Sequence, residues 1–112
     1  MKLNPIQSMK ALEKQLNRHP LCLLYFGTEN CSVCHAAKPR VESVLSRYPQ
    51  TAGFSCSTEQ FPEVAGQLIV FTVPAVLLFH ESREIFRSAR MIDFQGLETM
   101  IQKYSVKDHR GG

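Results

Sequence analysis

Residues Leu21 to Arg40, LCLLYFGTENCSVCHAAKPR, constrain the chain more than any other stretch. The apolar run from Leu21 to Phe26 stops at Gly27-Thr28-Glu29-Asn30, and Cys31-Ser32-Val33-Cys34 then opens a segment with helical spacing. A buried strand, a short turn and a Cys-x-x-Cys pair at a helix start form an arrangement suited to thiol–disulfide chemistry. At a helix N-terminus the unpaired N–H groups and the helix dipole favour a thiolate, here that of Cys31. Cys34 falls three residues later on the same face, within reach of a disulfide.

The rest of the composition narrows the alternatives. A chain of 112 residues supports one core. The formal charge of +3 comes from scattered Lys and Arg, which speaks against a nucleic-acid or membrane-surface partner. The longest apolar run is far shorter than a membrane span. The N-terminal MKLNPIQSMK has neither an apolar core nor a cleavage pattern of small residues, so the expected compartment is the cytoplasm. In that compartment the four cysteines are not expected to form structural cross-links, so the Cys31/Cys34 pair points to catalysis or metal binding.

Read in order, Asn4-Pro5 has the form of a helix cap and first helical residue, with Ile6, Met9, Leu12 and Leu16 on one face. His19-Pro20 ends that helix. Leu21 to Phe26, apolar throughout, reads as a central strand covered on both faces. A second helix is expected from Ser32 to Arg47, with Val33, Ala37, Val41, Val44, Leu45 and Tyr48 inward and Pro39 within it. Gly53 to Ser57 alternates apolar and polar residues and suits an edge strand. Ser57 to Gln60 has capping-box spacing ahead of a short helix carrying Phe61, Val64, Ala65 and Leu68. Ala75 to His80 and Glu84 to Ala89 read as an antiparallel hairpin about Glu81-Ser82. Asp93 caps a last helix carrying Phe94, Leu97, Met100, Ile101 and Tyr104.

With these elements in place, the chain resembles the thioredoxin family. Three features carry the resemblance: the strand–turn–Cys-x-x-Cys–helix itself, Pro39 five residues after the second cysteine, and Thr72-Val73-Pro74 ahead of the strand AVLLF. The resemblance implies an α/β thioredoxin-like fold, a central mixed sheet with helices on both faces. The family's opening strand is not evident, so four strands are expected. One such domain would span 1–106, followed by a flexible tail at 107–112. The resemblance also implies that Cys31 attacks a substrate disulfide and that Cys34 resolves the mixed disulfide. It implies that Pro74 is cis, and that Thr72, Val73 and Pro74 offer backbone groups to an extended substrate. Asn30, Ser32, Val33, Tyr25 and Pro39 would be supporting residues. Protein disulfides would be the substrates, and a separate reductase or low-molecular-weight thiol the electron donor. No bound cofactor or metal is expected beyond the redox-active pair.

Departures from the family pattern matter as much. The usual Trp-Cys-Gly-Pro-Cys is Asn30-Cys31-Ser32-Val33-Cys34, and the chain has no Trp. Tyr25 stands where thioredoxins carry a buried Asp, and Ser55 where its partner Lys would fall. These losses support a second reading, a thioredoxin-fold adaptor with little turnover. Two further chemistries share the residues. Cys31 to His35 matches the Cys-x-x-Cys-His pattern of c-type haem attachment. Cys31, Cys34 and His35 with Cys22, Cys56 or His80 would supply zinc ligands. The preceding strand and Pro39 disfavour haem, and the lack of a second Cys-x-x-Cys disfavours zinc. Cys22 and Cys56 read as small core residues of adjacent strands.

Overall fold

The apolar run after Pro20 becomes the middle of the sheet. In chain order the elements are β1 (Asn4–Pro5), α1 (Met9–Arg18), β2 (Leu21–Gly27), α2 (Ser32–Arg47), β3 (Ala52–Ser57), α3 (Pro62–Gln67), β4 (Ala75–His80), β5 (Arg83–Ala89) and α4 (Phe94–Gly111). The structure, a computed structural model, describes residues 3–111, with side chains described for 3–105. The tail expected at 107–112 lies outside the fully described residues.

Among the described residues the strands form one sheet in the order β1-β3-β2-β4-β5. β2 runs parallel to β3 and antiparallel to β4, and β4 and β5 form an antiparallel hairpin. The mixed α/β sheet with helices on both faces is therefore as expected, but it has five strands rather than four. The additional strand is Asn4–Pro5, which the Asn-Pro pattern had assigned to a helix start. Asn4 and Pro5 pair with Phe54 and Ser55, and the Ile6 N–H donates to the Ser55 carbonyl at 2.7 Å. Two residues are too few to show an alternation, and proline is tolerated in an edge strand where its missing N–H is not needed. Leu3 and Ile6 are buried on opposite faces of the sheet. The cap of α1 is Ser8 instead, with extended backbone and a side chain accepting the Ala11 N–H at 3.0 Å. β3 is consequently an inner strand, with β1 covering part of the edge that its polar face had suggested was free.

Two cores sandwich β2. On one face Cys22, Leu24 and Phe26 pack with Leu12 and Leu16 of α1 and Val64 and Ala65 of α3. On the other, Leu21, Leu23 and Tyr25 pack with Val41, Val44 and Leu45 of α2 and Leu97 and Ile101 of α4. Val33, expected inward, is 53% exposed, because it lies in the first turn of α2 beyond the end of the sheet. The hairpin turn places Glu81 and Ser82 at φ of 52° and 66°, the left-handed pair that a two-residue turn between twisted strands requires. The Ser82 hydroxyl then donates to the Leu16 carbonyl, tying the hairpin to α1.

Candidate active site

β2 carries the chain to the C-terminal end of the sheet's middle strand, and the turn after it delivers Cys31 to the start of α2. Cys31 is the N-cap residue, and its Sγ accepts the Cys34 N–H at 3.1 Å. The sulfur thus occupies the position usually filled by a Ser or Asp oxygen, where the helix end supplies donors to a negative charge. Cys31 and Cys34 are joined in a disulfide. Cys31 is partly exposed, whereas Cys34 is only 2% exposed. The turn is held by His35, whose Nε2 donates to the Glu29 carbonyl at 2.7 Å.

Beneath the pair lies Tyr25. Its hydroxyl donates to the Cys34 carbonyl at 3.0 Å, a buried bond. Pro39 has no N–H to give to the His35 carbonyl one turn back, so this part of α2 has a weakened internal ladder. The phenol provides an external donor one residue before that gap. Burial pushes the Tyr25 phenol above its ordinary value, so it is a donor and not a base at neutral pH. The phenol has room only because residue 27 is glycine: a Cβ there would meet the Tyr25 Oη at 2.7 Å. Sequence reasoning missed this dependence. The available signal was the spacing, since residues two apart on a strand share a face.

A polar cavity of about 190 Å³ opens beside Cys34, lined among others by Tyr25, Glu29, His35, Lys38, Ser55 and Cys56. Of the cations near the pair, Arg40 is turned away, stacked 4.1 Å above the Phe94 ring at the start of α4. Asn30, Ser32 and Pro39 are exposed around the pair. Cys22 and Cys56 are free and buried. Burial raises Cys22 to about 12; burial, helped by Glu63, raises Cys56 to about 11. Both are protonated, unreactive thiols near neutrality. Among the described residues no group of three or more His, Cys, Asp or Glu side chains is spaced to hold a metal ion.

Thr72, Val73 and Pro74 lie at this same end of the sheet. Phe26 pairs with Ala75, so Pro74 stands beside Gly27, and the Val73–Pro74 peptide bond is cis. A second residue pair missed from sequence holds the loop leading into it. Arg87 on β5 donates to the Leu68 and Ile69 carbonyls at 2.7 and 2.8 Å, and Glu84 grips the same guanidinium through both oxygens.

No protein-family model matches the chain. It is 33% identical over 98 residues to the thioredoxin-like protein YdfQ of Bacillus subtilis, covering 88% of each chain. It is 27% identical over 84 residues to a thioredoxin of Chlamydia trachomatis, covering 75% of this chain and 82% of that one. Among solved structures, a point variant of thioredoxin from Halobacterium salinarum superposes with a TM-score of 0.83 at 20% identity, covering 92% and 90%. Thioredoxin from Fasciola hepatica gives 0.81 at 20% identity, covering 89% and 98%.

The coupling between Tyr25 and Gly27 is measurable. Tyr25→Phe strips the Cys34 carbonyl of a buried donor and is expected to cost about 1–2 kcal/mol of unfolding free energy. Gly27→Ala forces the phenol aside and is expected to cost at least as much. In the Tyr25→Phe background the Gly27→Ala penalty should shrink, since the oxygen it collides with is gone. Strictly additive penalties in denaturant titrations would show that the phenol does not depend on Gly27.

Proposed function

The chain belongs to the thioredoxin family, and from that premise we propose that it is a protein-disulfide oxidoreductase working through Cys31 and Cys34. One observation carries this reading: the helix-capping sulfur is the accessible one and its partner is buried. In the reduced protein the Cys31 thiolate attacks a substrate disulfide, expelling one substrate thiolate and forming a mixed disulfide. Cys34 then loses its proton and attacks the Cys31 sulfur. The second substrate thiol leaves, and the Cys31–Cys34 disulfide remains, so two electrons have passed to the substrate. A separate reductase or a low-molecular-weight thiol restores the dithiol. No bound cofactor takes part, and Thr72, Val73 and Pro74 align the substrate segment. Work of this kind, reductive and on protein disulfides, fits a cytoplasmic setting and a part in cell redox homeostasis. Among the described residues no helix is long and apolar enough to cross a membrane.

The reading is tested by insulin reduction with dithiothreitol as electron source. Wild type is expected to shorten the lag before precipitation several-fold, and Cys31→Ser to match the protein-free control. Equal behaviour of the two proteins would favour the adaptor reading, in which the fold binds partners without turnover.

The proton leaving Cys34 has no carboxylate at position 25 to receive it. The raised phenol cannot serve, which leaves water in the polar cavity, or Glu29 on its wall. Resolution should therefore follow the thiolate fraction of Cys34, rising by roughly tenfold per pH unit below its titration. Single-turnover reduction of a model disulfide between pH 6 and 8 would show this slope. A Tyr25→Asp variant that folds correctly should resolve faster near neutrality. A flat profile for wild type, or no acceleration in the folded variant, would show that proton loss does not limit the step.

A further inference from the structure

A row of residues crosses the end of the sheet that carries the redox pair. Ser57 pairs with Gly27, and the register of β2 with β4 places Pro74 beside Gly27. Ala75 pairs with Ala89, so Arg90 follows beside Pro74, and its N–H donates to the Pro74 carbonyl at 2.8 Å. Arg90 thus stands against the residue expected to align substrate.

Its backbone is unusual. Arg90 has φ of 69°, the left-handed region in which glycine is at ease and a long side chain is not. The hydrogen bond to Pro74 uses only the main chain, so glycine would serve the fold at that point as well or better. Strain of this kind is characteristic of places where the side chain has work to do. The side chain is exposed and, among the described residues, has no hydrogen-bond or ion-pair partner. Three other arginines are engaged, Arg47 with Glu98, Arg87 with Glu84 and Arg40 over Phe94, while Arg18 and Arg83 lie away from this end of the sheet. The nearby Asp93 carboxylate is occupied in capping α4, where it accepts the Gly96 N–H at 2.9 Å. Next to Arg90 in the chain, Met91 is 87% exposed, and Phe71, three residues before Pro74, is 84% exposed.

We propose that Arg90 is a specificity-determining residue that takes a carboxylate on the substrate, so that the preferred substrates are protein disulfides with an Asp or Glu beside the attacked cysteine. Met91 and Phe71 supply apolar surface for the neighbouring side chain of the same segment. A guanidinium suits this task because it stays charged and can bind both carboxylate oxygens at once. The inference rests on the oxidoreductase reading above.

The test compares kcat/KM for three disulfide peptides that differ only in carrying Asp, Asn or Lys next to the cysteine. At low ionic strength wild type is expected to favour the Asp peptide over the Asn peptide by about fivefold and to disfavour the Lys peptide. Arg90→Gln, which removes the charge while keeping an unbranched polar side chain on the same backbone, should reduce the Asp preference to under about twofold. Arg90→Lys, which keeps the charge but not the fork, should keep only part of it, and salt should erode it. Arg83→Gln, at the opposite end of β5 and remote from the pair, should leave it intact. Reduction of all three peptides without preference, or a preference that survives Arg90→Gln, overturns the assignment while the oxidoreductase reading stands. Failure to reduce any of the three overturns that reading and this inference with it.

Discussion

β2 is bonded to a strand on each side and covered by helices on each face, so its C-terminal end is fixed from four directions. Everything about the redox pair follows from that fixed end. The strand stops at Gly27, a four-residue turn reverses the direction, and α2 begins with a sulfur accepting the N–H of Cys34, the helix's third residue. The same strand sends Tyr25 under the helix to bond the Cys34 carbonyl. The two cysteines therefore differ in environment before any substrate arrives. One sits at a helix end facing solvent, and the other is sealed against a phenol and a strand.

Packing on both faces is also what lets so small a chain hold such a site. Leu23, Leu24, Phe26, Leu77 and Leu78 are fully buried in the two central strands. Burial of each large apolar side chain stabilises by roughly 1.5–3 kcal/mol. The loop carrying Pro74 is anchored by Val70, with Leu68 and Val73 packed on the same core, and is further held by Arg87 and Glu84 on β5. Apolar packing thus fixes both sides of the site, and on the Pro74 side charge-assisted hydrogen bonds add to it.

Much of this was legible in the residues. The bounds of α2, Ser32 to Arg47, followed from the cysteine pair, the apolar spacing and the Tyr48-Pro49 stop. The mixed sheet followed from one helix-linked pair of strands and one hairpin. What was not legible had too little pattern or needed a third dimension. β1 is two residues long and carries a proline, so no alternation could reveal it, and Asn-Pro imitated a helix cap. Val33 has the chemistry of a core residue and helical phase, but the helix starts beyond the sheet, so nothing covers it. The clearance that Gly27 gives Tyr25, and the hold of Arg87 on two carbonyls eighteen and nineteen residues away, depend on contacts between elements that spacing alone does not encode.

The central claim is the division of labour between the two sulfurs, and trapping of the mixed disulfide tests it most directly. Purified Cys34→Ser and Cys31→Ser variants would be mixed with an excess of a disulfide-bonded protein and quenched with acid, and the covalent adducts weighed by mass spectrometry. The account predicts a stable adduct through Cys31 in Cys34→Ser and essentially none in Cys31→Ser, where the remaining thiol is buried. Equal trapping by both variants, or an adduct through Cys22 or Cys56, would contradict it.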